Sequence, residues 1–283
     1  MSSSNLPSTS PTSSAAVVSL NVVPARAGIA WVKLGIKTFF KQPLAIGGLF
    51  FMFMALISLV SQVPFIGSAL ALIVLPAATV GLMAATRTAV DGKFPMPAVL
   101  FTAFRSGAKK TQSILMLGAV YAIGFLLVLG VSALFDGGQF ASFYLSGGAI
   151  TKETISTSEF QMATWAAMAL YLPLSLMFWH APALVHWHDV SPVKALFFSF
   201  VACVKNFAAM VVYFFMWLAV FSMGGLVLTL LAVATGSESA VSFVMLPAAL
   251  LMAAMFFTSI YFTFRDSFMT PSTTLTPSNP SAP

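Results

Sequence analysis

Six stretches of this chain are apolar and free of Asp, Glu, Lys and Arg: Leu44 to Ser61, Gly67 to Ala85, Ser113 to Phe135, Gln161 to Val185, Phe207 to Ala234 and Ser242 to Phe262. Each runs for about 18 to 28 residues, close to or above the ~20 that a helix needs to cross a ~30 Å hydrocarbon core. The runs are too long and too continuously apolar for alternating barrel strands of ~10 residues, and lipid tolerates only helices and closed barrels. Six membrane helices are therefore expected, in an all-α integral membrane protein. The first two are separated only by Gln62, Val63, Pro64, Phe65 and Ile66, which is room for nothing but a tight helical hairpin turn.

Between the runs the pattern changes to short amphipathic segments. Before the first run, Trp31, Leu34, Thr38 and Phe39 fall to one side of a helix, while Lys33, Lys37 and Lys41 recur every fourth residue on another. Before the third, Leu100, Phe101, Phe104 and Ala108 oppose Arg105 and Lys109. Before the fifth, Leu196, Phe197, Phe200, Val201 and Val204 form a stripe beside Lys194 and Lys205. The chain thus reads as three units of basic helix plus membrane hairpin, at approximately 26–92, 93–190 and 191–268, within a membrane domain of 23–268. Phe101, Phe104, Lys109 and Tyr121 match Phe197, Phe200, Lys205 and Trp217 at a constant offset of 96. Such helices are expected to lie in the membrane interface, aromatics in lipid and lysines among headgroups. The alternative is that each simply extends the membrane helix after it, although Lys41-Gln42-Pro43 and Lys205-Asn206 look like breaks.

Composition and charge then settle class and orientation. The chain is 59% hydrophobic and 7% charged, far below the ~25% charged residues of a soluble domain. Twelve of thirteen Lys and Arg residues occupy alternate joints, and the other joints hold only Lys152. Positive loops stay inside, so both termini and the basic joints are expected in the cytoplasm. The net charge of +6 then reports topology and proximity to anionic lipid rather than nucleic-acid binding. Residues 1–22 and 269–283 are rich in Ser, Thr and Pro and are expected to be disordered tails. The apolar part of AAVVSLNVVPARA is too short and uncharged in front to make a good signal peptide. A single cysteine, Cys203, excludes an intramolecular disulfide.

The stretches VPARAGIAWVKLGIKTFFKQPL (Val23 to Leu44), LPAATVGLMAATR (Leu75 to Arg87), FWHAPALVHWHDVSPVKALFFSFVACVKN (Phe178 to Asn206) and YFTFRDSF (Tyr261 to Phe268) resemble an uncharacterised family of proteobacterial polytopic inner-membrane proteins. More distantly, the helix-plus-hairpin plan is similar to the membrane domain of some glycerophosphodiester phosphodiesterases, whose catalytic domain this chain lacks. The resemblance implies a bacterial inner-membrane location and six helices, and carries over no reaction, ligand or site residue.

Chemistry is sparse. No ionisable side chain falls in the middle third of any run, which weighs against an ion-coupled transporter. Pro76, Pro173, Pro182 and Pro247 are read as kinks for packing rather than unwound ion sites. No GxxxxGK[ST], GxSxG, HExxH or CxxC occurs, and Asp136 to Phe160, the longest loop, is too short for a catalytic domain, so no enzyme activity is expected. Sixteen Met and 28 Phe are spread through all the runs and read as packing. His180, His186, His188 and Asp189 are the residues that suit a divalent metal by type. On one continuous helix, however, His180 and His188 would be ~12 Å apart, and His186 and His188 would face apart. Trp179 and Trp187 beside them suit an aromatic belt instead, so no metal or other cofactor is expected. The expected partners are membrane lipids, anionic ones above all, met by Lys33, Lys37, Lys41, Arg105, Lys109 and Lys205. A lipid-engaging or membrane-organising scaffold is thus the leading function, with transport of a small or lipidic substrate as the alternative.

Overall fold

A computed structural model describes residues 19–147, 150–236 and 238–269, and every regular element among them is a helix. The Ser/Thr/Pro-rich tails lie outside the described residues except for Ser19 to Val22 and Met269. In chain order come α1 (Ala27–Lys41), α2 (Pro43–Ser61), α3 (Gly67–Val90), a 3-10 helix (Pro97–Phe104), α4 (Ala108–Asp136), α5 (Gln139–Ser146) and α6 (Lys152–Ser156). They are followed by α7 (Ser158–Phe178), α8 (Ala181–His188), α9 (Pro192–Lys205), α10 (Phe207–Thr235) and α11 (Glu238–Phe268). Six segments of these residues are long and apolar enough to span a membrane: α2, α3, α4, the composite of α7 and α8, α10, and Phe243–Phe268 of α11.

Local chemistry explains the breaks between elements. Gln42 leaves the helical region at φ −144°, and Pro43 opens α2, where its missing N–H costs nothing. Asn206, at φ −99°, separates α9 from α10 without a proline. Three expectations change. The second basic segment is not an α-helix carrying both Arg105 and Lys109. Pro97 starts a 3-10 helix, Arg105 caps it, and Gly107 at φ +95° turns the chain so that Ala108 and Lys109 belong to α4. The stretch from Asp136 to Phe160 contains α5 and α6, with Thr151 and Thr157 as N-caps of α6 and α7, so it is not a plain loop. The fourth apolar run is broken at Trp179 and His180, and Pro182 lies in the first turn of α8.

The apolar side of α1 also meets protein rather than lipid. Gly28, Trp31, Val32, Gly35, Thr38 and Phe39 are buried, and α1 lies across α10 and α11. Lipid tails solvate an apolar helix as well as another helix does, so close backbone approach and interhelical hydrogen bonds hold such bundles together. Both are present. At Gly118 of α4 an added Cβ would fall 1.9 Å from the Ile73 carbonyl oxygen of α3, and at Gly35 of α1 it would fall 2.4 Å from Ser259 Cβ of α11. Only glycine permits those approaches. Around them α3 packs on α2, α4, α8 and α11, while α7 packs on α4 and α9. One buried cluster gathers Trp31, Leu117, Leu184, Tyr213 and Phe264, and a second gathers Phe39, Phe50, Phe53, Leu82 and Leu100.

Candidate lipid-facing site at the basic end

Hydrogen bonds stitch the four basic joints into one end of the bundle. Gln42 Nε2 donates to the Lys93 carbonyl at 3.2 Å, tying the α1–α2 break to the segment after α3. Asn206, 3% exposed, accepts from the Val23 N–H at 2.9 Å. Its Nδ2 donates to the Asn21 carbonyl at 3.1 Å and to Ser267 Oγ at 3.3 Å. Asn21, which composition places in the tail, is further held by its N–H on the Ser267 carbonyl at 2.9 Å. Asp266 takes Trp31 Nε1 on one carboxylate oxygen at 2.9 Å and Arg265 Nε on the other at 2.8 Å. The Arg265 guanidinium also lies 4.9 Å over the Phe262 ring.

On this frame the six cations expected to meet headgroups, Lys33, Lys37, Lys41, Arg105, Lys109 and Lys205, are all exposed. Among the described residues none of them is in an ion pair. Two behave differently from the rest in their setting. Arg105 lines an open groove of about 880 Å³ whose wall passes from Phe104, Arg105 and Gly107 through Thr111 and Gln112 to Leu115, Met116 and Ala119. Lys109 is not part of that wall but follows Ala108, which is, in the first turn of α4. A polar and cationic mouth that grades into an apolar strip is the profile of a phospholipid lying along a helix. The sequence pattern named Arg105 and Lys109 as headgroup candidates but gave no groove, whose cue is Gly107 between two helical stretches.

Lys110, read only as a topology charge, has a specific task. Its Nζ is 3.0 Å from Asp189 Oδ1 and 3.0 Å from the His186 carbonyl, so it fastens the start of α4 to the end of α8. Asp189 adopts φ +53° there and ends α8 as a left-handed cap.

The three histidines point to three separate places. Thr263 Oγ1 gives its hydrogen to the Ile260 carbonyl at 2.7 Å, so His180 Nε2, 3.2 Å away, must donate to it. His180 Nδ1 then faces Cys203 Sγ at 3.9 Å, and the His180 N–H donates to Ser199 Oγ at 2.9 Å. Burial pushes the Cys203 thiol up to about 12, so it stays protonated. His186 Nδ1 lies 3.5 Å from Ser106 Oγ, and the His188 ring rests against Phe264. Among the described residues no three His, Cys, Asp or Glu side chains come together to hold a metal ion.

Fold and site together define a multi-pass, all-α integral membrane protein with an uncovered basic end. Over 249 residues, which are 87% of this chain and 92% of the relative, the chain is 41% identical to a protein of Burkholderia thailandensis named "Probable inner membrane protein". It belongs to the same family of inner membrane proteins. No family model matches the chain, and nothing found supports the likeness to the phosphodiesterase membrane domain. No solved structure matches it.

Proposed function

We propose that this is a non-enzymatic, lipid-engaging membrane protein that holds anionic phospholipid at its basic end, with that end and both termini on the cytoplasmic side. The observation that supports it best is the groove from Arg105 to Ala119, which places a cation with no ion-pair partner among the described residues at the mouth of an apolar strip. The alternation of basic joints supports the orientation. A cationic side chain near an anionic surface contributes ~1 kcal/mol, so losing Arg105 and Lys109 together should lower the preference for anionic over zwitterionic lipid by roughly 10- to 30-fold.

The test is native mass spectrometry of protein extracted from vesicles of equal phosphatidylglycerol and phosphatidylethanolamine. Arg105→Gln with Lys109→Gln should lose anionic adducts more than Lys33→Gln, Lys37→Gln and Lys41→Gln, which lie outside the groove. An unchanged lipid ratio in the groove variant would leave these residues as topology signals only. Transport of a small or lipidic substrate, the alternative, predicts flux across proteoliposomes as well as binding, and flux measured on the same preparation distinguishes the two.

A further inference from the structure

A second feature lies at mid-depth of the bundle, opens at Tyr171, 39% exposed, and has no charged side chain in its lining. Between α3, α4, α7 with the start of α8, and α11 there is a cleft of about 190 Å³, walled by Leu75, Pro76, Tyr121, Tyr171, Phe178, Trp179, Phe256 and others. Tyr121 stands 13 residues from the start of α4 and 15 from its end, about 20 Å of helix either way, which is mid-depth for a membrane span. α7 and α11 each contribute three residues to the lining. A bilayer phospholipid cannot bring its charged headgroup to that depth, and no charged residue lines the cleft to receive one.

The polar groups in the wall are not equivalent. Thr79 Oγ1 is spent on the Leu75 carbonyl at 3.0 Å, Ser175 Oγ on the Leu172 carbonyl at 2.8 Å, and Trp179 Nε1 on Thr263 Oγ1 at 3.1 Å. The two phenols are different. Tyr121 Oη and Tyr171 Oη are 3.4 Å apart, and among the described residues each has only the other as a side-chain partner. Two phenols carry two hydrogens, and one long contact uses one of them. A donor is therefore left over at the buried Tyr121 or the exposed Tyr171, and among apolar groups an unmade hydrogen bond is costly.

We propose that this cleft binds a neutral, membrane-dissolved ring carbonyl compound of the quinone class, its carbonyl oxygen accepting the spare phenolic hydrogen of the Tyr121–Tyr171 pair. Neutrality follows from the uncharged wall, the acceptor from the unmatched donor, and the flat ring from the aromatic faces of Phe178, Trp179, Phe256 and Phe257. The volume is below the roughly 300 Å³ at which pockets begin to enclose drug-sized molecules, so it takes one ring and leaves any tail in lipid. This site is independent of the basic groove, and it fails or stands on different residues and a different probe.

The experiment uses the full chain in phosphatidylcholine nanodiscs, with empty discs subtracting simple partitioning. Decyl-substituted benzoquinone is compared with decylbenzene, which has the same tail and a ring without carbonyls. Saturable one-to-one binding of the quinone is expected, roughly five- to tenfold tighter than the hydrocarbon for one added hydrogen bond. Tyr121→Phe with Tyr171→Phe keeps both rings and should erase that margin while leaving decylbenzene unchanged. Ser175→Phe, which fills the cleft and spares both phenols, should abolish saturable binding of either probe. Should the double variant fail to fold, the two-probe comparison in the wild-type chain and Ser175→Phe decide, because either single Tyr→Phe change leaves one phenolic hydrogen free for the carbonyl. Equal affinity for the two probes, absence of saturation, saturable binding that survives Ser175→Phe, or a margin that survives in the folded double variant overturns the proposal, and water or lipid tails then fill the cleft.

Discussion

Ser259→Ala is the sharpest probe of how this bundle is held. Ser259 Oγ donates to the Phe256 carbonyl of its own helix at 2.6 Å, which leaves it only as an acceptor for its neighbours. It accepts from Tyr213 Oη at 2.6 Å and from Trp217 Nε1 at 3.1 Å, both buried on α10. Alanine removes that acceptor with almost no change in volume, so the close approach of Gly35 on the other side of Ser259 is undisturbed. Two buried donors are orphaned. In water-soluble proteins each would cost ~1–3 kcal/mol, but membrane interiors moderate the loss toward ~0.6 kcal/mol per bond because the unfolded reference also finds partners. The expected destabilisation is therefore ~1–3 kcal/mol. Adding Tyr213→Phe deletes one orphan donor and should recover roughly 0.5–1 kcal/mol. The assay is reversible unfolding in mixed micelles titrated with SDS, followed by far-UV circular dichroism. A Ser259→Ala midpoint equal to wild type, or a double variant less stable than Ser259→Ala alone, would refute the idea that this hydroxyl joins α10 to α11.

Gly35→Val and Gly118→Val should each destabilise by more than ~3 kcal/mol in the same unfolding assay, because the new side chain meets Ser259 or the Ile73 backbone rather than a side chain that can swing away. Phe65, exposed at the α2–α3 turn, adopts φ +68°, so Phe65→Gly should raise stability by roughly 0.5–1 kcal/mol, and a lowered midpoint would contradict that strain. Reporter fusions after Gly147 and after Ser267 should give opposite signals, since six spans with the proposed cytoplasmic basic end put those sites on different sides; equal signals would reject the six-span topology. Asn206→Leu should cost ~2–4 kcal/mol, as it strips partners from the Val23 N–H, the Asn21 carbonyl and Ser267 at once.

What the sequence made legible follows from where the controlling physics is local. The spans are local, because a run of apolar side chains in lipid leaves the backbone no alternative to a helix, and all six appear. The breaks at Gln42 and Asn206 are local too, each a polar residue beside a change of direction. Gly107 and the pair Gly137 and Gly138 carried equally local signals that periodicity concealed. The amphipathic stripe of Leu100, Phe101 and Phe104 looked like an α-helix running on to Lys109, whereas a 3-10 helix opens at Pro97 and Gly107 turns the chain before α4. Apolarity likewise says nothing about which face is covered. Trp31 and Phe39 read as lipid-facing because a stripe against protein and a stripe against lipid have the same sequence. The histidines became interpretable only through Thr263, Cys203, Ser106 and Phe264, residues that no spacing rule links to them.

The burial of α1 sets an order of assembly. Its inner face is completed by Ala209 and Tyr213 of α10 and by Ser259 and Asp266 of α11, which emerge from the ribosome some 180 to 230 residues later. Until that final hairpin inserts, Phe39 has Phe50, Phe53 and Leu82 of α2 and α3 to pack on, but Trp31 lacks Tyr213 and Asp266, and the helix that carries them has lysines spaced to keep it afloat on the membrane surface. The amphipathic pattern of α1 is thus suited to a waiting position as much as to its final one. The last-made segment closes over the first, and the Asn21–Asn206–Ser267 hydrogen bonds form only when both are present. Truncation within α11 should consequently loosen the N-terminal helix before it disturbs the α4–α7 pair, which packs without either.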